Sequence, residues 1–190
     1  GVRLEASTAC QLRCPACPTT QGKVAQHLGT GLLHPHQFEL FLATNPEVKS
    51  VELSNYGEVF LNPGLPDILR IARDRQVKLT ISNGANFNNV SPQALEALVQ
   101  YQVQAITCSI DGASQATYSQ YRVRGNFDKV IENLRALNQV KQRLRSKLPY
   151  LNWQFIRFAH NQHEIPAAEA LARELGMKFF VKRDWRTPKT

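Results

Sequence analysis

Three of the four cysteines in this 190-residue chain fall within eight residues: Cys10, Cys14 and Cys17, spaced C-x3-C-x2-C, with Pro15 and Pro18 stiffening the segment. Thiolates at this density can converge on one inorganic centre. A disulfide framework would leave an odd cysteine, and an α/β chain of cytosolic type rarely uses one. Structural zinc takes four ligands; the fourth would have to be His27, His34, His36 or Cys108, none of which has a paired spacing. Three cysteines around a cubane iron–sulfur cluster leave one iron without a protein ligand, and an open iron is a place to bind and reduce a substrate. The residues favour a cluster over zinc and leave both readings open.

Chemistry on a loop needs elements to hold it. Residues 2–6 read as a short strand that delivers the chain to Cys10. Residues 36–42 look helical and stop near Asn45-Pro46, and 50–54 alternate as a strand. Leu65, Ile68, Leu69 and Ile71 recur at helical spacing in 65–74. A strand over 77–81 ends at Asn83-Gly84. Ser91 caps a helix with Pro92 at its first position, running to residue 100. Residues 103–110 form a strand closed by Asp111-Gly112. A long helix follows over 126–145 with Asn126 as cap, then a strand over 151–158. A helix over 165–175 is ended by Gly176, and a sixth strand spans 178–181. Six strands alternating with five helices predict an α/β fold with a parallel sheet, curled or open. The cysteines then lie at the C-terminal end of the first strand, the edge where such folds place their sites.

Cys10-Gln-Leu-Arg-Cys14-Pro-Ala-Cys17 resembles the signature of the radical S-adenosylmethionine (radical SAM) superfamily. In that family three thiolates hold a 4Fe–4S cluster, and the amine and carboxylate of S-adenosylmethionine chelate the unique iron. Reductive cleavage releases a 5′-deoxyadenosyl radical that abstracts a substrate hydrogen. Further matches fall at successive strand ends. Asn55-Tyr56-Gly57-Glu58-Val59 is similar to the family's Gly-Glu-Pro segment, with Val59 in place of Pro. This implies that Gly57 and Glu58 serve the cofactor's ammonium. Ser82-Asn83-Gly84 is similar to a Thr-Asn-Gly stretch near the ribose. Ser109 and Asp111 end strand four, and the segment from Ala113 to Asn138 resembles a helical segment of the peptide-modifying (SPASM-type) branch. In that branch an Arg at the position of Arg122 reaches the cofactor carboxylate, which suits its bidentate fork; Arg124 is a substitute. The resemblance also places Val181 at the adenine pocket. It covers residues 2 to 185 and implies a partial (β/α)6 TIM-like barrel. Residues 1–190 are then expected to be a radical SAM core domain, a fragment lacking the last helix and any C-terminal auxiliary-cluster domain.

Bland readings stand beside these. Glu58 can cap the next turn, Asn83-Gly84 and Asp111-Gly112 can be ordinary turns, and Arg122 can be a surface residue. Cys108 alternates out of phase with Ser109 and Asp111, so it is expected to pack as a small buried residue, not as a ligand. His160, near His163, and Arg157 are substrate-side candidates. Tyr56 and Phe60 flank the Gly-Glu segment and can shield the cluster. Residues 182–186 continue past the last strand and can meet the substrate. The catalytic acid, base or hydrogen donor has no sequence signature.

The formal net charge is +8, and it is uneven: residues 1–111 carry 8 basic and 9 acidic side chains, residues 112–190 carry 15 and 6. A basic half fits an acidic partner or is only a solvated surface. No apolar run approaches the ~20 residues of a membrane span and no signal peptide opens the chain, so a cytoplasmic protein without a membrane is expected. The family reading implies a peptide or protein substrate, whose acidic leader the basic second half could hold, and an electron donor such as a flavodoxin or ferredoxin. An RNA-modifying radical enzyme is the alternative, disfavoured because no RNA-binding module is recognisable. A non-catalytic zinc-binding module is a third reading.

Overall fold

The computed structural model describes residues 1–184; of the segment expected to continue past the last strand, Trp185 and Arg186 lie outside them. Six strands form one parallel sheet: β1 (Val2–Arg3), β2 (Ser50–Glu52), β3 (Lys78–Ala85), β4 (Ala105–Ser109), β5 (Tyr150–Arg157) and β6 (Lys178–Arg183). Their order across the sheet is their order in sequence. Right-handed crossovers that always step the same way put every helix on one face and leave the other face concave. The architecture is the expected partial (β/α)6 barrel.

The helices are α1 (Lys23–Leu28), α2 (Pro35–Thr44), α3 (Leu65–Asp74), α4 (Pro92–Gln100), α5 (Gln115–Tyr121), α6 (Phe127–Arg143) and α7 (Ile165–Glu174). The local signals act as read. Ser91 Oγ accepts from the Ala94 amide at 3.1 Å and Asn126 Oδ1 from the Lys129 amide at 2.9 Å, which satisfies helix-start donors that would otherwise be orphaned. The apolar stripe of α3 is buried along Leu65, Ile68, Leu69 and Ile71.

Strand alternation sorts the two faces. In-register partners of a parallel sheet share a face, so Ile106, Cys108, Leu151, Trp153 and Phe155 point outward, in one apolar core with the buried sides of α2, α3, α4, α6 and α7. The inner face carries Glu52 beside Thr80, Thr107 beside Asn152, and Ser109 beside Gln154 and Phe180. Cys108 is fully buried in the apolar core, and burial pushes its thiol far up.

Three expectations change. Asn83-Gly84 does not end the third strand: β3 continues through it to Ala85, with an irregular register between Ile81 and Ala85. Gly84 sits there at φ +124°, and a Cβ would overlap Ser109 Oγ, so only glycine fits. The helical stretch after Gly112 is two helices, because the chain turns between Arg122 and Asn126, with Arg124 at φ +70°. The short helix α1 was also not legible: it lies between Gly22 and Gly29, both at positive φ, and only Val24 is buried.

Candidate active site

The cysteine loop is fastened to the loop after β2 by close backbone contact. Gly57 lies against the chain at Ser7–Ala9, where any Cβ would overlap the Ser7 carbonyl oxygen. The Glu58 amide donates to Ala9 O at 2.7 Å. The Glu5 carboxylate accepts the amides of Tyr56 and Gly57 at 3.0 Å, and Thr19 Oγ1 donates to Tyr56 O at 2.8 Å. The Gly-Glu segment therefore positions the residue immediately before Cys10.

Cys14 is 5% exposed and Cys10 and Cys17 are half-buried. All three pack with a small apolar cluster of Leu12, Tyr121, Ile156 and Phe158, with the Tyr121 and Phe158 rings 4.4 Å apart. Burial pushes the Cys10 thiol up to about 11 and raises Cys14, and repulsion from neighbouring cysteines adds to both. The thiols are close enough to repel one another as thiolates, and an attracting cation would draw off their protons.

Such a cation stands behind Cys14. Arg122 Nη1 is 3.9 Å from Cys14 Sγ, and Arg122 Nε pairs with Asp111 Oδ2 at 2.6 Å. Asp111 is fully buried, and its Oδ1 accepts the Ile156 amide at 2.6 Å. Burial lifts the Asp111 carboxyl, while Arg122 and the Ile156 amide pull it back. Burial also works against the Arg122 cation, but Asp111 and Cys14 outweigh it and hold the guanidinium charged. Asp111 thus orients Arg122 and is itself closed to any ligand.

Glu58 is also inward. Its carboxylate is 2% exposed and accepts the Phe60 amide at 3.3 Å and the Asn86 amide at 2.8 Å. Burial pushes it up to about 7 against those hydrogen bonds. The partner, Asn86, was missed by sequence reading. Its Nδ2 lies 3.8 Å from Cys10 Sγ and its Oδ1 accepts Gln11 Nε2 at 2.8 Å. Asn88 continues the network, donating to Tyr118 OH at 3.0 Å and accepting the Asn126 amide at 2.7 Å. Between them Phe87 is fully buried at φ +56°, edge-on to Phe60 with ring centroids 4.8 Å apart. A left-handed aromatic costs about 1–3 kcal/mol and persists where its surroundings over-determine it. The run of asparagines at 86, 88 and 89 was the available signal.

The remaining candidates separate. Ser82 and Asn83 are exposed within β3: the Ser82 amide is held by Glu52, and Asn83 Nδ2 donates to Ser54 O at 2.9 Å. Ser109 is 7% exposed on the inner face. Val181 is not brought to it. It stands in register with Phe155 on the opposite face, 42% exposed, because alternation sends Phe180 inward instead. Arg157 shares that outer parity and is exposed. His160 stacks on Phe158 with centroids 5.4 Å apart, and among the described residues its buried Nε2 has no hydrogen-bond partner. Tyr56 is 43% exposed, and Arg124 is exposed in its left-handed turn.

Among the described residues no three His, Cys, Asp or Glu side chains are grouped to hold a metal ion. A tetrahedral structural zinc, at about 2.3 Å from each sulfur, needs a fourth ligand beside the three cysteines. A cubane takes each thiolate on a different iron, so three cysteines of one loop suffice to hold it. The all-thiol donor set, its apolar wall and the adjacent cation fit a 4Fe–4S cluster.

No family model matches the chain. It is 28% identical over 177 residues to a GTP 3′,8-cyclase of Chlorobaculum tepidum, covering 91% of this chain and 50% of that protein. It is 23% identical over 175 residues to an AdoMet-dependent heme synthase of Methanosarcina barkeri, covering 90% and 46%. The chain thus spans about half the length of these relatives. Streptococcus suis SuiB bound to its precursor peptide SuiA has the same fold, with TM-score 0.75, 16% identity, and 96% of this chain and 38% of that one covered. A second SuiB structure, bound to S-adenosylmethionine, matches with TM-score 0.73 and 15% identity over 96% and 38%. The SuiB structures show a shared fold, and the names of the two curated relatives, one of them AdoMet-dependent, agree with the superfamily that the cysteine motif resembles, whose cofactors are a 4Fe–4S cluster and S-adenosylmethionine.

Proposed function

We propose that this chain is the core of a radical S-adenosylmethionine enzyme that modifies a peptide or protein. The observation that supports it most is the Asp111–Arg122–Cys14 series behind a C-x3-C-x2-C loop at the C-terminal edge of a singly wound sheet. Cys10, Cys14 and Cys17 would hold the cluster. When bound, the cluster and S-adenosylmethionine supply reductive cleavage of a sulfonium and a radical able to take a substrate hydrogen.

The chain's own residues position and protect. Leu12, Tyr121, Ile156 and Phe158 keep water from the thiols, which strengthens every charge interaction there. Asp111 takes one of the five Arg122 donors and fixes the guanidinium plane. The remaining donors are left for anions, the Cys14 thiolate and the cofactor carboxylate. Glu58 and Asn86 brace Cys10 from the other side. The backbone at Gly57, and Ser82 and Asn83 on β3 with Ser109 on β4, would serve the rest of the cofactor.

The peptide reading is supported by the fold shared with a peptide-bound neighbour, and the basic balance of residues 112–190 suits an acidic leader or an acidic electron carrier. Anaerobically purified protein is expected to be brown with about four irons per chain, and reductant plus S-adenosylmethionine to give 5′-deoxyadenosine. Cys14→Ala should abolish that product. A colourless protein holding stoichiometric zinc, or undiminished product from the variant, overturns the reading.

A further inference from the structure

Gln154 is an anomaly in the sheet. It lies in the middle of β5, is 6% exposed, and among the described residues its Oε1 is buried without a hydrogen-bond partner. An unsatisfied buried amide oxygen keeps its full desolvation penalty, a loss a folded chain accepts where a ligand later fills the gap.

Its surroundings say what that ligand is. Gln154 faces inward in register with Ser109 on β4 and Phe180 on β6, and the next inward pair below is Thr107 and Asn152. Ser109 and Thr107 are themselves buried, at 7% and 4% exposure. Asp111 lies two residues beyond Ser109, roughly 6.6 Å up the strand at ~3.3 Å per residue, so this floor lies one pleat below the Arg122–Cys14 contact. The buried floor is uncharged. Of the carboxylates on this face, Asp111 is occupied by Arg122 and the Ile156 amide and Glu52 by Ser54, Thr80 and Ser82, and the inward lysines of β6, Lys178 and Lys182, are exposed at its margins, with Lys182 Nζ 5.8 Å from the Phe180 ring centroid. Neutral donors and acceptors without a buried cation suit an amide and disfavour a phosphate or carboxylate.

We propose that Gln154 is a substrate-positioning residue that pairs with an amide group of the substrate: its Oε1 accepts an N–H while its Nε2 donates to the carbonyl. This rests on the peptide-modifying reading and deepens it.

The test uses the cluster-loaded, oxidised full-length protein and N-acetylglycinamide as probe, followed by saturation-transfer NMR. Methyl acetate, which lacks the N–H donors, and glycerol 3-phosphate are comparison probes. The amide should give a clear transfer signal and the other two little. Gln154→Met should cut the amide signal at least about fivefold, near the tenfold that ~1.4 kcal/mol represents, while Gln154→Asn retains part of it. The Met variant should melt no lower than the parent, since it keeps volume and removes an unsatisfied polar atom; a Gln with only a structural role would lower it. No amide signal in the parent, equal signals in parent and Gln154→Met, or preference for the phosphate overturns the subsite. Absence of 5′-deoxyadenosine from the parent overturns the enzyme reading instead, so the two failures are distinguishable.

Discussion

The two halves of the sheet treat their buried polar groups in opposite ways. Around β1–β3, carboxylates end on backbone amides: Glu5 on Tyr56 and Gly57, Glu52 on Ser54 and Ser82, Glu58 on Phe60 and Asn86. Around β4–β6, Glu164 also holds a chain turn through Ala113 and Ser114. But Asp111 there ends on a cation as well as on the Ile156 amide, and Gln154 Oε1 and His160 Nε2 end on nothing within the described residues. Amide-held carboxylates fix loops. Unpartnered groups and a charged fork wait for something to bind. The first half is built to hold the cysteine loop still, and the second to meet a ligand.

The sharpest way to break this contrast is at Gly57. If the loop after β2 sets the cysteine loop by direct contact, Gly57→Ala must push Ser7–Ala9 away, since the added Cβ meets the Ser7 carbonyl. We expect a loss of about 3 kcal/mol or more in unfolding free energy, together with iron content well below that of the parent. Parent-level iron in a stable Gly57→Ala protein would show that the two loops are not coupled. Ala at Gly31, where nothing among the described residues lies within 4 Å and φ is not positive, controls for the added methyl itself.

The next effect belongs to the other half. Asp111→Asn keeps an acceptor for the Ile156 amide but leaves Arg122 as an uncompensated buried charge. Breaking a buried pair on one side costs about 3–5 kcal/mol; the retained hydrogen bond places this variant near the lower figure. Urea unfolding measures it. Asp111→Asn with Arg122→Met should recover much of the loss, whereas a purely additive double variant would deny the coupling.

Much of this was legible beforehand, and the gaps have a common cause. The six strands, the caps at Ser91 and Asn126 and the three cysteines are local signals, carried by residue type and spacing over a few positions. Asn86 and Gln154 are not. An asparagine in a loop and a glutamine in a strand look like surface residues until the sheet brings Cys10, Glu58 and Asn86 together from three separate connections, or shows that Gln154 faces inward. The same limit explains Asp111 and Glu58. Sequence places each at a strand end, but whether its carboxylate faces a ligand or the protein depends on partners 11 and 28 residues away. Val181 was misplaced by parity, which a single residue of register decides.

The smallest effect, and the finest test of the contrast, is one of sign. Glu52 and Glu58 both end on amides in the same half, yet burial acts on them unequally. Desolvation raises Glu52 as well, but hydrogen bonds from Ser54, Thr80 and the Ser82 amide outweigh it, and its carboxyl lies below the usual 4.5. Its contribution is present above pH 4.5 and lost as pH falls through the lower folded value. Glu58, pushed up to about 7 by burial, prefers its proton in the folded state. Its contribution is complete below pH 4.5 and lost as pH rises through about 7. Urea midpoints of the metal-free chain should therefore fall both toward strong acid and between pH 5 and neutrality. Glu52→Gln, costing about 1–2 kcal/mol at pH 7 for a half-exposed group, should flatten the acid limb only. Glu58→Gln should flatten the limb approaching neutrality only. If Glu58→Gln leaves the neutral limb intact, burial is not what governs this carboxylate, and the bracing of Cys10 would have to be assigned to Asn86 alone.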